Sequence, residues 1–250
     1  ESGAAMRASK VVYDRAASSI AEIQPGDVDW AKVFDGADWF HFTGITPAIS
    51  KNAGEVCIEA AKAAQELGVT VSADMNYRKN LWTPKEAQAT MIPMMKYVDV
   101  SIGNEEDAEK CLGVAAEGVD VTVGEIDPEA YRPVVQELVD KFGFKKVAIT
   151  LRESFSADDN GWSAIYYDGD EILVGNKYPV RIVDRVGGGD SFCAAMIYGL
   201  NQSDWDSRQV LDFAVASSAM SHTFHGDFNL VSVKEVMAVA GGDTSGRVQR

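Results

Sequence analysis

Residues 50–74 read SKNAGEVCIEAAKAAQELGVTVSAD, and this stretch indicates the fold class. Small and apolar residues recur at helical spacing from Val56 to Leu67, and Gly68 then ends the predicted helix. The β-forming run that follows predicts a buried strand ending at Asp74. We therefore expect a helix followed by a strand, which is the repeating unit of an α/β sheet.

The same alternation recurs along the chain. The patterns predict helices after Pro84, from Asn104, over Pro128–Phe142, from Asp190 to Leu200 and from Asp206 to His222, and strands over Tyr97–Ile102 and Lys146–Leu151. Short strands separated by such helices favour a mostly parallel sheet that is covered on both faces. Asp168-Gly169 between two β-forming runs predicts a hairpin, and hence an antiparallel edge.

Composition limits the classes of partner. The chain has 250 residues and a net charge of −15, from 38 acidic and 23 basic residues. We take residues 1–250 as a single domain, and we expect no broad surface for nucleic acid or anionic lipid. The expected partner is a small molecule, and an anionic one would need local positive charge from arginines, helix N-termini or a metal.

Cysteine usage and hydropathy point to a cytoplasmic protein. The three cysteines lie far apart in sequence, at positions 57, 111 and 193, and form no Cys-x-x-Cys pair. This spacing disfavours a zinc site and a disulfide framework. No apolar run approaches the ~20 residues of a membrane span, so we expect no membrane partner.

The strongest candidate for chemistry is the run Ile182-Val-Asp-Arg-Val-Gly-Gly-Gly-Asp-Ser-Phe-Cys-Ala-Ala. Gly187, Gly188 and Gly189 leave backbone N–H groups unobstructed at the start of a helix, where a phosphate can be held. Asp190 would stand beside that phosphate, a placement that suits a general base. The structural alternative, a tight turn with Asp190 as a helix cap, is about equally compatible with this stretch alone.

Two further strand ends carry polar groups. Asp74-Met-Asn-Tyr-Arg-Lys-Asn-Leu-Trp places Arg78 where it could hold a substrate carboxylate, although a surface arginine in a turn has the same pattern. Asn104-Glu-Glu-Asp could hold magnesium through water. An acidic first helical turn with a partly solvated face explains that run as well, because acids there complement the helix dipole.

Together these motifs resemble the ribokinase-like sugar kinases of the PfkB family, closest to its 2-keto-3-deoxygluconate kinase branch, along nearly the whole chain. The family's Asp-Thr-x-Gly-Ala-Gly-Asp corresponds here to Asp184-Arg-Val-Gly-Gly-Gly-Asp, and the Asp-x-Asn-x-Arg-x-x-Leu-Trp run and the ending Gly226-Asp-Phe-Asn match that branch. The resemblance implies a ribokinase-like three-layer α/β/α sandwich with a mostly parallel central sheet.

The resemblance also implies site roles, with ATP and Mg²⁺ as cofactors. Asp190 would deprotonate the terminal sugar hydroxyl, and the amides of residues 187–189 would form the anion hole. The sugar-acid contacts implied are Tyr13, Arg15, Asn76, Arg78 and Asp190. The nucleotide contacts implied are Asn104, Thr150, Arg152, Gly187, Gly189, Ser218 and His222, with Asp107 on the metal. His222 is equally compatible with a packed residue at a helix end.

The chain departs from the family pattern at several points. Asp107 stands where the family usually has glutamate, and the strand end at Thr150-Leu-Arg-Glu-Ser lacks the usual Gly-x-x-Gly. The family's opening strand, its Gly-Gly substrate motif and most of its β lid are not in this sequence. We therefore expect residues 1–24 to be lid or substrate-contacting strands, and we expect an exposed sheet edge.

Other functions remain open on the sequence alone. Another PfkB-type sugar kinase such as fructokinase would use the same glycines, and a non-catalytic fragment of such a kinase is a further alternative. A homo-oligomer is also compatible with the sequence. A hydrolase using Ser191 with His222 or His225 is disfavoured, because Gly-x-Ser-x-Gly is missing. A dinucleotide dehydrogenase is weaker still, because no Gly-x-Gly-x-x-Gly is present.

Overall fold

The computed structural model describes residues 3–104, 106–115 and 127–247, which contain one seven-stranded sheet. The strands are β1 (Trp39–Thr43), β2 (Thr70–Asp74), β3 (Val100–Asn104), β4 (Lys146–Ser154), β5 (Asp159–Tyr167), β6 (Ile172–Val174) and β7 (Tyr178–Arg181). The helices are α1 (Ser19–Glu22), α2 (Trp30–Val33), α3 (Ile45–Ile49), α4 (Lys51–Glu66), α5 (Pro84–Met95), α6 (Asp107–Leu112), α7 (Arg132–Phe142), α8 (Gly188–Leu200), α9 (Ser207–Ser221) and α10 (Val233–Ala240), with a 3-10 turn over Pro128–Tyr131.

The sheet has the mixed, mostly parallel character that the sequence predicts. Its strand order is β1-β2-β3-β4-β5-β6, and β7 pairs with β5. Strands β1 to β4 are parallel, whereas β5 runs antiparallel to β4, β6 and β7. Because the carboxyl ends of β1 to β4 meet at one edge, polar residues at those ends are brought together.

Helices cover both faces of the sheet, which gives the predicted three layers. One core cluster includes Val71 and Ile149 from the strands together with buried side chains of α4, α5 and α7. The other includes Ile102 and Ala148 together with side chains of α8, α9 and α10. Fully burying an aromatic such as Phe192 of α8 is worth ~1.5–3 kcal/mol, so this packing fixes α8 over the sheet.

Several element boundaries differ from the sequence prediction for identifiable reasons. The helix expected from Asn104 begins at Asp107, because Asn104 is the last residue of β3. The strand expected over Tyr97–Ile102 begins at Val100. Strand β4 continues to Ser154 because its antiparallel ladder with β5 extends beyond the parallel part of the sheet. No sequence pattern predicted β7, α10 or the short helices α1, α2 and α3.

The N-terminal segment does not form the expected strands within its described part. Residues 3–24 contain one isolated bridge, Ala4 to Arg7, and the single turn of α1. The segment touches the tip of the β4–β5 hairpin, where the Ala157 N–H donates to the Ala5 carbonyl at 2.8 Å. In the part of the chain that the structure describes, no helix has the length and apolarity needed to cross a membrane.

Candidate active site

The three consecutive glycines lie at the start of α8, and their surroundings differ. Gly187 has φ of +78°, and a Cβ there would lie 2.6 Å from the carbonyl oxygen of Asp227. A Cβ on Gly188 would lie 2.5 Å from the ring of His222. At Gly189 the same position is open, with no described atom within 4 Å. Packing therefore requires the first two glycines, whereas the third leaves the first turn of α8 bare toward solvent.

Two residues of the α9 region hold the glycine loop, residues 187–189, in place. The Ser218 hydroxyl donates to the carbonyl of Gly188 at 2.7 Å. His222 Nδ1 lies 2.7 Å from the Ser218 carbonyl, so Nδ1 carries the proton. The ring is buried against Trp162, with centroids 4.9 Å apart, and this burial lowers the pKa of His222. Ser218 and His222 are thus supports of the glycine loop.

A second connection joins the glycine loop to the segment after α9. Asp184 Oδ1 accepts the N–H of Val186 at 3.2 Å, and Asp184 Oδ2 accepts the N–H of Gly226 at 3.2 Å. Gly226 has φ of +98°, a conformation that favours glycine. One carboxylate therefore holds two loops that are distant in sequence.

Asp190 is the third residue of α8 and is exposed. The helix dipole favours a carboxylate in this first turn. Its charge reaches the neighbouring strands: burial lowers the pKa of His41 in β1, and the Asp190 carboxylate opposes that shift. Asp190 therefore stands over the edge of the sheet at which the parallel strands end.

Asp74, the last residue of β2, lies beneath this carboxylate and is buried. Burial, together with the charges of Asp107 and Asp190, raises the pKa of Asp74 to about 8. The guanidinium of Arg78 opposes the shift. Two carboxyl groups and one arginine therefore act on Asp74 at the carboxyl end of β2.

The loop after β2 places Asn76 and Arg78. Asn76 has φ of +41°, and its side-chain amide donates to the Thr43 hydroxyl at 3.1 Å, which joins the loop to β1. Arg78 is half-buried and donates from Nη1 to the carbonyl of Tyr77 at 3.0 Å. Because five N–H groups are available on a guanidinium, this bond leaves Arg78 able to bind an anion.

Asp107 is buried and fixes the same loop from below. Its Oδ1 accepts the N–H of Tyr77 at 2.9 Å, and its Oδ2 accepts the N–H of Asn104 at 2.8 Å. The sequence predicts a partly solvated face for this turn. Glu106 is exposed, and Glu105 lies outside the described residues. The Asn104 side chain accepts the N–H of Glu106, so it too shapes the loop.

The described residues do not form a metal site made of protein ligands alone. Among them, no three His, Cys, Asp or Glu side chains converge closely enough to hold an ion. Asp107 is buried and each of its carboxylate oxygens already accepts a backbone N–H group, which favours contact with a metal through water. This arrangement fits an ion that is held mainly by phosphate oxygens.

Comparison with known proteins assigns the family. Residues 4–232 match the family model described as pfkB family carbohydrate kinase. The chain belongs to this family. Membership makes it a sugar kinase of the ATP-dependent type and confirms the ribokinase-like fold predicted from the sequence.

Three named proteins are similar to this chain over most of its length. The chain is 30% identical over 246 residues to 2-dehydro-3-deoxygalactonokinase of Haloferax volcanii, covering 98% of this chain and 70% of that protein. It is 30% identical to 2-dehydro-3-deoxygluconokinase of Thermoproteus tenax, covering 88% of this chain and 59% of that protein. The crystal structure of 2-dehydro-3-deoxygluconokinase from Thermotoga maritima matches with a TM-score of 0.90 and 50% identity, over 96% of this chain and 72% of that one.

Two predicted sugar contacts lie in the N-terminal segment of this pfkB family kinase. The guanidinium carbon of Arg15 lies 3.8 Å from the centroid of the Tyr13 ring, which is a cation–π contact. Tyr13 is 55% exposed. The two side chains thus form a pair on the surface, and their contact with sugar stays a prediction.

The end of β4 carries two predicted nucleotide contacts of the kinase. Thr150 is buried, and its hydroxyl donates to the carbonyl of Gly103 at 3.3 Å, so it ties β4 to β3. Arg152 is exposed and, two residues further on, faces the same side of the sheet as Thr150. Arg152 is therefore accessible to a ligand, whereas Thr150 has a structural bond.

Three residues of this site received no role in the sequence analysis. They are His41, Asp74 and Arg185. The position of Asp74 at a predicted strand end was a usable signal. His41 lies in β1, and its interaction with Asp190 of α8 depends on the folded structure and is not visible in residue spacing. Arg185 was visible as a departure from the family pattern.

Proposed function

We propose that this protein transfers the γ-phosphoryl group of ATP to the terminal hydroxyl of 2-keto-3-deoxygluconate, which is also called 2-dehydro-3-deoxygluconate. The names of its relatives support a keto-deoxy sugar acid. The observation that carries the proposal is the placement of Arg78 in the loop after β2 and of Asp190 in the bare first turn of α8, each near enough to the buried Asp74 to act on its pKa. A cation suited to a carboxylate and a base suited to a hydroxyl therefore lie at one edge of the sheet.

In the proposed reaction, Asp190 accepts the proton of the sugar hydroxyl as its oxygen attacks the γ-phosphorus. The bond from that phosphorus to the β,γ-bridging oxygen breaks, and ADP leaves. The amides at the bare first turn of α8, around Gly189, donate to the oxygens of the transferring group. Bound Mg²⁺ supplies charge neutralisation on the phosphates, and Asp107 would reach it through water.

The sugar acid would lie between two arginines, Arg78 and Arg15. Arg78 binds its carboxylate, and Asn76 donates to a neighbouring oxygen. Tyr13 and Arg15 contact it from the N-terminal segment. On the nucleotide side we propose Asn104 and Arg152, while Ser218, His222 and Thr150 act by holding backbone in place.

The remaining parts of this proposal concern the setting of the protein. Cys57, Cys111 and Cys193 are free and buried, which supports a reducing, cytoplasmic location. A net charge of −15 supports small molecules as partners over nucleic acid or a membrane surface. We also propose a homo-oligomer as a possible state, to be tested by mass.

A fructokinase-type activity is the second candidate, because the glycine loop and Asp190 would serve any sugar. Arg78 disfavours it, since a neutral sugar would leave that guanidinium without its anionic partner. Ser191, the nucleophile of the hydrolase reading, is buried inside α8 next to an ionised carboxylate, a poor place to form an alkoxide.

The experiment is an assay of ADP release with ATP and each of three sugars: 2-keto-3-deoxygluconate, 2-keto-3-deoxygalactonate and fructose. We expect turnover of the acids, and a fall of at least ~1,000-fold in Asp190→Asn, because loss of a general base removes both proton transfer and orientation. Asp204→Asn, at an exposed turn, is the matched control and should keep full activity. Faster turnover of fructose would favour the second candidate. Nucleotide binding without turnover of any sugar would support a non-catalytic protein.

A further inference from the structure

We propose that Arg152 and Arg185 together bind the phosphates of the nucleotide that are not transferred, and so make this kinase select its nucleotide by phosphate number. The inference rests on the proposed function. It assigns a role to Arg185, in the loop before α8, and pairs it with Arg152 of β4.

Arg152 lies on the side of the sheet that faces the glycine loop. In the antiparallel ladder of β4 and β5 it pairs with Trp162, and paired residues point to the same face. The Trp162 ring packs on His222, and His222 packs against Gly188. Two side chains, those of Trp162 and His222, therefore connect Arg152 to the glycine loop.

Arg185 approaches the same place from the loop itself. It lies three residues before Gly188, and its Nη2 donates to the carbonyl of Ala157 and, at 3.4 Å, to the side-chain oxygen of Asn160. Both acceptors belong to the tip of the β4–β5 hairpin. The guanidinium is thus held between the hairpin and the glycine loop, and the N–H groups on its other edges remain for an anion.

The two arginines repel each other in the protein alone. Burial lowers the pKa of Arg185, and the charge of Arg152 lowers it further. Both arginines also lower the pKa of His222, after the larger effect of burial. Two cations kept close in a chain of net charge −15 form a local positive site, and a polyphosphate relieves their repulsion.

The sequence departures fall at the same two places. Arg185 stands where the family pattern has threonine, and Arg152 lies in the strand end that lacks Gly-x-x-Gly. A glycine-rich strand end offers backbone N–H groups to phosphate, whereas a guanidinium offers a charged, two-pronged donor. The two arginine side chains would therefore bind the phosphates that backbone N–H groups bind in the family pattern.

The test is calorimetric binding of ADP, AMP and adenosine to the full protein and its variants. Arg152→Gln and Arg185→Gln should each weaken ADP binding ~10–100-fold, since a charge-assisted bond to phosphate is lost. Adenosine affinity should not change, and AMP affinity should fall by a smaller factor than ADP affinity, because AMP keeps the α-phosphate and lacks the β-phosphate. The double variant should lose less than the sum of the single losses, because the pair shares one ligand.

The controls separate this inference from the proposed function. Arg208→Gln removes an exposed arginine that pairs with Asp212, and it should bind ADP like the wild type. Arg185→Lys keeps the charge and should recover part of the loss. Equal weakening of ADP and adenosine, or wild-type ADP binding in both glutamine variants, overturns the inference. If Arg185→Gln does not fold, the exposed Arg152→Gln decides alone. Failure of the wild type to bind any nucleotide would instead overturn the proposed function.

Discussion

His222 and Gly188 are in direct contact, and this contact sets how closely the glycine loop can approach α9. A methyl group at position 188 would lie 2.5 Å from the His222 ring. Gly188→Ala must therefore displace the loop or the buried ring, and we expect a loss of ~1–3 kcal/mol in the free energy of unfolding. Urea denaturation measures it. Gly189→Ala, whose Cβ would meet open space in a helical turn, should be at least as stable as the wild type. Equal stability of the two alanine variants would contradict the contact.

Arg78 is expected to govern recognition of the acid group. Arg78→Gln should raise KM for 2-keto-3-deoxygluconate ~10–100-fold with a smaller change in kcat, because a charged two-pronged contact with the carboxylate is lost. Steady-state kinetics with saturating ATP measure this. Lys79→Gln changes the exposed neighbouring cation and should leave KM unchanged. An unaltered KM in Arg78→Gln would place the carboxylate elsewhere.

Asp107 is expected to matter for stability through its two backbone acceptor bonds. In Asp107→Asn one oxygen becomes an NH₂ group that faces an N–H donor, so we expect a loss of ~1–3 kcal/mol in the free energy of unfolding. Thermal and urea denaturation without nucleotide measure this. Glu106→Gln, at the exposed neighbour, is the control. A normal stability combined with a higher Mg²⁺ requirement would instead make Asp107 a metal-site residue.

Asp74 should make stability depend on pH. Its pKa is raised by burial from 3.8 in the reference state to about 8 in the folded protein. Between these values the folded state holds a proton that the unfolded state has lost, so the stabilising contribution is complete below the lower value and disappears as pH rises through the upper one. Relative to Asp74→Asn, the wild type should lose ~2–4 kcal/mol between pH 5 and pH 8.

Urea titrations of both proteins at pH 5 and pH 8 measure this difference. Asp35→Asn, at an exposed position before β1, should follow the wild type across the same range. A constant difference between wild type and Asp74→Asn would show that Asp74 is ionised in the folded state.

Local patterns sufficed for much of the fold and for the centre of the site. The helix before Gly68 and the strand ending at Asp74 follow from residue spacing, because burial on one face imposes a period. Three glycines before a helix indicated the loop and Asp190 for a similar reason, since few other sequences leave a helix N-terminus bare.

Roles that depend on distant partners could not be predicted. The sequence does not show that Asp107 is buried, because one of the N–H groups that it accepts belongs to Tyr77, which is 30 residues away. Ser218 and His222 resembled ligand contacts, although their hydrogen bonds go to backbone. Spacing along the chain carries no information about such long-range bonds.

The shared carboxylate of Asp184 has an evolutionary consequence. It joins the glycine loop to Gly226, a glycine 42 positions later whose positive φ restricts what can replace it. A change at either position removes support from both loops at once, so isolated substitutions are penalised. Among homologues we expect positions 184 and 226 to covary. We also expect insertions outside the two loops that Asp184 holds to be tolerated more readily than insertions within them.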